Sequence, residues 1–175
     1  MIKNVFFDRD FTLGALTDVR YPDTFEPYAD LPAVFAALKA DGMKIFIATN
    51  QSCIARGTDN GYDYAAEFTR LGADDWFICP HDAGDNCGCR KPKPGLLLAA
   101  MEKYRLSPET CVLVGDRKTD VACGKAAGMR TIALLSPATD GDSAADGADG
   151  AARSLTEALT VIRRWNADEA AGRKG

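Results

Sequence analysis

Two carboxylates one residue apart, Asp8 and Asp10, close an apolar run at residues 5–7 and are followed by a hydroxyl at Thr12. Side chains at i and i+2 of an extended segment share a face. Both acids can therefore aim into one small space at a strand's carboxyl end, where open α/β sheets place their ligands. Two carboxylates that close repel each other, so a cation or a shared proton must compensate. Two further apolar runs end in comparable groups: Thr49 and Asn50 after residues 44–48, and Asp116 after residues 111–114, with Asp120 one helical turn later. A lone acid after a strand is usually a helix cap. Three polar strand ends meeting on one edge of a parallel sheet call for a different account, and metal-assisted chemistry supplies one.

A second cluster is Cys79-Pro80-His81 followed by Cys87-Gly88-Cys89, which gathers three of the six cysteines and the single histidine of the chain. Three thiolates and an imidazole suit a closed tetrahedral zinc site. A thiol redox pair at Cys87 and Cys89 is the competing reading. Gly84 and Gly88 allow the loop to fold tightly around an ion, and without metal such a loop lacks a core. Arg90-Lys91-Pro92-Lys93 follows directly. Those cations read either as a solvated turn or, pinned by the metal loop, as charges aimed at the acidic site.

The elements that must position these groups alternate strand and helix. Residues 2–7, 44–48, 75–78, 111–114 and 131–135 read as short buried strands. Between them, Leu31, Val34, Phe35 and Leu38 follow the i, i+3, i+4, i+7 pattern behind a candidate cap at Asp30. Helices are also expected around 61–71, after Pro94, and through 121–127 to a stop at Gly128. Such alternation implies a parallel sheet of about five strands with helices on both faces. Residues 9–29 read as a long loop, and 136–153 as a surface loop rich in Ala, Asp and Gly. Ser154 to Glu157 form a capping-box sequence for a last helix. One domain over 1–167 with a frayed tail from 168 to 175 is expected.

In order and spacing, Asp8-x-Asp10-x-Thr12, Thr49-Asn50, Lys91 and Gly115-Asp116-x-x-x-Asp120 resemble the four motifs of the haloacid dehalogenase (HAD) superfamily of phosphohydrolases. The resemblance implies a Rossmann-like three-layer α/β fold and phosphoryl transfer through an aspartyl-phosphate. It casts Asp8 as nucleophile, Asp10 as general acid and base, and Lys91 as the cation that stabilises the phosphoryl group. Thr49 and Asn50 would hold phosphoryl oxygens. Asp8, the Asp10 carbonyl and Asp116 would ligate Mg2+, with Asp120 supporting that shell.

The phrase CGCRKPKPG at 87–95 resembles the zinc-containing branch of histidinol-phosphate and D-glycero-D-manno-heptose 1,7-bisphosphate phosphatases, in which Arg90 would contact substrate. TNQSCIARG at 49–57 is similar to the heptose members. The branch implies a Mg2+-dependent phosphomonoesterase with a structural Zn2+ at Cys79, His81, Cys87 and Cys89. Its partner would be a small phosphorylated sugar, most closely a heptose bisphosphate, with histidinol phosphate the alternative. Phe11 and Cys53 stand where glycine is usual, which keeps open a zinc-stabilised binding module with a degenerate site. The interval after Asn50 is too short for a separate cap domain.

With 46% hydrophobic and 26% charged residues and a net charge of −4, the composition is that of an ordinary globular protein. No basic stripe suggests nucleic acid, and no apolar stretch is long enough to span a bilayer. A cytoplasmic monomer or weak homo-oligomer is the expectation.

Overall fold

The computed structural model describes residues 1–16, 22–135 and 145–172. The central sheet is parallel throughout and holds six strands: β1 (Asn4–Phe7), β4 (Lys44–Asn50), β5 (Asp75–Cys79), β6 (Cys111–Gly115), β7 (Arg130–Leu134) and β8 (Gly150–Ala152), in the order β5-β4-β1-β6-β7-β8. From β1 the chain winds outward one way through β4 and β5. It then returns to β6 on the other side and winds outward again. The carboxyl ends of β1 and β6 thus flank the topological switch point, the crevice where such sheets bind ligands.

Alternation along the strands feeds two cores. Val5, Phe7, Ile45, Ile47, Val112 and Val114 point to one face. There they meet helix α1 (Leu31–Ala40), α3 (Tyr64–Leu71) and the last helix, α6 (Leu155–Gly172). Phe6, Phe46, Ala48 and Leu113 point to the other, against α4 (Gly95–Tyr104) and α5 (Lys118–Ala126). Strands covered on both sides read as continuous apolar runs, which is what parallel sheets require. The short helix α2 (Ser52–Ala55) turns the chain away from β4.

Several local expectations are corrected. The sheet gains a sixth strand, β8, inside the segment expected to be only a loop, because residues 150–152 pair with Ile132 to Leu134 of β7; residues 136–144 of that segment lie outside the described residues. The loop 9–29 carries an antiparallel pair, β2 (Gly14–Leu16) and β3 (Phe25–Pro27), with residues 17–21 undescribed. Helix α6 runs on to Gly172 through the residues expected to fray from 168, and 173–175 lie outside the description.

Asp30 does not cap α1 through its side chain. Its Oδ2 instead accepts from the Thr156 amide at 3.0 Å and the Thr156 hydroxyl at 2.9 Å, capping α6 across 126 residues. Ser154 Oγ accepts from the Glu157 amide as the capping box requires, while the Glu157 carboxylate reaches back one residue further, to the Arg153 amide.

Among the described residues no domain is inserted between strands: β2 and β3 fill the first interval, and α2 and α3 the next. No helix there is long and apolar enough to cross a membrane.

Phe6 and Phe46 stack across adjacent strands at 4.8 Å, and both rings are fully buried. Phe46→Ala should therefore lower the unfolding free energy by about 3–5 kcal/mol, read from the urea midpoint at unchanged m-value.

Candidate active site

Lys91 is the hub of the site. Its side chain is almost fully buried, and Nζ lies 2.8 Å from Asp8 Oδ1 and 2.6 Å from Asp120 Oδ1 while donating to the Ala48 carbonyl at 2.8 Å. Asn50 fixes the lysine's backbone from both sides. Its Oδ1 accepts from the Lys91 amide at 3.1 Å, and its Nδ2 donates to the Lys91 carbonyl at 3.2 Å. Burial alone would lower the lysine's pKa, but the charges of Asp120 and Asp8 outweigh it and the group is held protonated well above its ordinary value.

Asp8 follows β1, its amide bonded to the Val114 carbonyl of β6. Asp116 follows β6, fully buried, and accepts from the Thr12 hydroxyl at 3.0 Å. Asp120 lies in the first turn of α5, where its Oδ2 also accepts from the Arg117 amide at 3.1 Å. One oxygen of Asp120 thus serves the helix end while the other faces Lys91. Gly115 makes room for it: a Cβ there would stand 2.4 Å from the Asp120 Cβ.

Asp8, Asp116 and Asp120 can each bring one oxygen within 4.8 Å of the others. Three buried carboxylates face one buried ammonium, with Arg117 Nε a distant 3.9 Å from Asp116 Oδ2. Net negative charge in a site of hard oxygen donors fits a divalent cation of the Mg2+ type.

Asp8, Asp10, Asn50, Arg90, Lys91, Arg117, Thr119 and Asp120 line one cavity of about 280 Å3. The spacing argument for Asp8 and Asp10 therefore holds in space. Thr49 is buried beneath them; its Oγ1 accepts from Gln51 Nε2 at 2.9 Å, leaving its own proton to donate elsewhere. Arg90 is oriented by Ser52 Oγ at 2.7 Å and the His81 carbonyl at 3.0 Å. Lys93 points away and binds the Asn86 and Cys87 carbonyls, tying down the cysteine loop as a structural residue.

Phe11, the residue at a usual glycine position, adopts φ of +59°, the left-handed conformation that glycine reaches without strain. It is held there by its amide, which donates to the Gly14 carbonyl at 2.8 Å, and by Tyr28 Oη, which donates to its carbonyl at 3.3 Å.

Cys79, His81, Cys87 and Cys89 converge, with Cys89 Sγ 3.3 Å from Cys79 Sγ, 3.5 Å from Cys87 Sγ and 3.3 Å from His81 Nδ1. Sulfurs bonded to a common tetrahedral zinc at about 2.3 Å stand about 3.8 Å apart, whereas a disulfide needs about 2.05 Å. The geometry fits a shared metal, and all six cysteines are free. Arg56 and Asp82 form a two-pronged pair linking α2 to this loop.

Four residues to which the motifs assigned no role also stand at the site: Arg9, Gln51, Glu67 and Ser52. Arg9, Gln51 and Glu67 are buried polar groups, and Arg9 Nη1 and Gln51 Nε2 reach the two oxygens of Asp10 at 2.6 and 3.3 Å. For Arg9 the signal was available, since the alternation that unites Asp8 and Asp10 sends Arg9 to the opposite, protein side.

Burial, first, with the charges of Asp8 and Asp116, outweighs the pull of Lys91 and raises Asp120 from 3.8 to about 7. A raised folded-state pKa contributes stability below the unfolded value and loses it as pH climbs to the folded one. In EDTA the urea midpoint should therefore fall between about pH 4 and about pH 7. Asp120→Asn should flatten that fall.

Residues 2–128 match the family model for haloacid dehalogenase-like hydrolases. The D-glycero-beta-D-manno-heptose-1,7-bisphosphate 7-phosphatase of Pasteurella multocida is 32% identical over 77% of this chain and 82% of its own. The Pseudomonas putida protein of the same name is 34% identical over 75% and 81%. The D-glycero-alpha-D-manno-heptose-1,7-bisphosphate 7-phosphatase of Photorhabdus laumondii is 33% identical over 73% and 79%. Among solved structures, a D,D-heptose 1,7-bisphosphate phosphatase from B. bronchiseptica, complexed with magnesium and phosphate, superposes with a TM-score of 0.78 at 24% identity, covering 93% of this chain and 99% of that one. With a family match over most of its length and the strand-end acids of that family in one crevice, this chain belongs to the haloacid dehalogenase-like hydrolases.

Proposed function

We propose that the chain is a Mg2+-dependent phosphomonoesterase that removes the 7-phosphate of D-glycero-D-manno-heptose 1,7-bisphosphate through an aspartyl-phosphate on Asp8. The observation that carries this reading is the Asp8 carboxylate, held by a buried Lys91 at the wall of a cavity that Asp10 also lines. The names of the relatives supply the substrate.

Asp8 attacks phosphorus in line with the leaving oxygen. The bond from phosphorus to that oxygen breaks, and the oxygen takes the proton of the Asp10 carboxyl. Asp10, now a carboxylate, draws a proton from water as the water oxygen attacks the aspartyl-phosphate. The bond from phosphorus to Asp8 breaks, and inorganic phosphate leaves. One group serves as acid and then as base, as microscopic reversibility requires.

Lys91 offsets charge on the phosphoryl oxygens and on Asp8, and Thr49, Asn50 and Arg90 bind phosphate and substrate oxygens. Bound Mg2+ would add Lewis-acid neutralisation of the equatorial oxygens, held by Asp8, Asp116 and the Asp10 carbonyl. The metal of the cysteine loop is structural zinc, and free thiols suit a cytoplasmic setting. A compact sugar phosphate is the partner, and a monomer needs no second chain to complete the site.

A phosphate-release screen with Mg2+, covering heptose 1,7-bisphosphates of both anomers, histidinol phosphate and hexose phosphates, should give the highest kcat/KM for a heptose. Preference for histidinol phosphate would replace the substrate, and binding without turnover on any ester would favour the degenerate module. Asp8→Asn should abolish turnover while the protein stays folded; full activity in that variant sinks the mechanism. Elemental analysis should find about one zinc per chain, with Cys89→Ser losing it together with the order of the loop.

A further inference from the structure

Arg9 lies between the two acids of the site yet has no solvent exposure at all. Its guanidinium meets Glu67 of α3 in a two-pronged pair, Nε to Oε1 and Nη2 to Oε2, each 2.7 Å. Nη2 also donates to the Pro22 carbonyl at 3.3 Å, and Nη1 donates to Asp10 Oδ1 at 2.6 Å. Phe25, Tyr64 and Tyr62 surround the cation at 4.2, 5.4 and 5.5 Å, and the Tyr62 hydroxyl donates to Glu67 Oε2. Burial disfavours the guanidinium charge, but Glu67 and Asp10 more than restore it.

The other oxygen of Asp10 is approached from a second direction. Gln51 Nε2 stands 3.3 Å from Asp10 Oδ2, and Gln51 Oε1 accepts from the Tyr64 hydroxyl at 3.0 Å. Tyr64 and Glu67 are three residues apart on one face of α3. Two separate relays therefore run from this helix to the two oxygens of one carboxylate.

Buried ion pairs are weak stabilisers, because desolvation offsets much of their attraction and apolar replacements often match them. Position is what this one supplies. Glu67 cancels the charge of Arg9, so what reaches Asp10 is chiefly a donor of fixed direction.

We infer that Arg9 and Glu67, with Gln51 and Tyr64 on the other side, are positioning residues that orient the Asp10 carboxylate for both of its proton transfers. The inference rests on the proposed acid and base role of Asp10.

The test is the paired variant Arg9→Met/Glu67→Leu, which removes both charges together, with Glu67→Gln as a milder companion. Each is assayed on a hexose phosphate or heptose bisphosphate and on 4-nitrophenyl phosphate. On the sugar ester kcat should fall about 10²-fold with KM little changed, within the range that general acid–base groups contribute. On the nitrophenyl ester the leaving group departs without an acid, whereas hydrolysis of the aspartyl-phosphate still needs the base. The variants should then release one equivalent of nitrophenolate in a burst, followed by slow turnover.

Folded variants with wild-type kcat and no burst overturn the inference. So do equal losses on both esters without a burst, which mark general damage. Should the paired variant not fold, the burst in Glu67→Gln decides, and its absence overturns the inference. Wild-type protein that cleaves neither ester would remove the phosphatase reading as well, whereas wild-type turnover with burst-free variants removes the positioning role alone.

Discussion

The ammonium group of Lys91 sits where water cannot solvate it, and its position is tolerable because Asp8 and Asp120 lie within 2.8 Å and the Ala48 carbonyl accepts a further hydrogen bond from it. Charges in a low-dielectric interior must be matched closely or not present. That demand propagates outward. Gly115 must lack a side chain so that Asp120 can approach, and Asn50 must clamp the lysine's peptide so that Nζ reaches both acids. The cysteine loop then fixes the chain two residues before the lysine, so the Cys/His cluster and the buried cation share one short stretch of backbone.

The acids also explain each other. Asp8, Asp116 and Asp120 exceed Lys91 in charge, which leaves the site electrostatically incomplete as protein alone. A site built to be completed by a cation is poised for a substrate that also brings negative charge, since one ion can offset both. Arg90 and Arg117 at the cavity wall continue the same balance toward the entrance.

Much of this was legible in the sequence for physical reasons. Continuous apolar runs ending in polar groups define strands and their polar ends, so Asp8, Asp10, Asn50 and Asp116 fall together once the sheet is parallel. The cysteine cluster is local and needs no fold to be noticed. The unreadable parts are those where a polar residue chooses a distant partner. Asp30 looks like the cap of the helix it precedes, yet binds Thr156. Glu67 looks like a solvent-facing helical acid, yet is 2% exposed against Arg9. Strand β8, three residues with two alanines, carries no apolar period of its own and exists because β7 offers it an edge.

The strand order has a consequence for how the chain is made. β1 is first in sequence but central in the sheet, and Asn4 pairs with Cys111 of β6 as well as with Lys44 of β4. During synthesis one edge of β1 therefore stays open until more than half the chain has emerged, and long-range parallel pairing of this kind forms slowly. An apolar strand with an open edge is an invitation to pair with another molecule. The arrangement that brings Asp8 beside Asp116 thus leaves the crevice unformed until β6 has reached the open edge of β1.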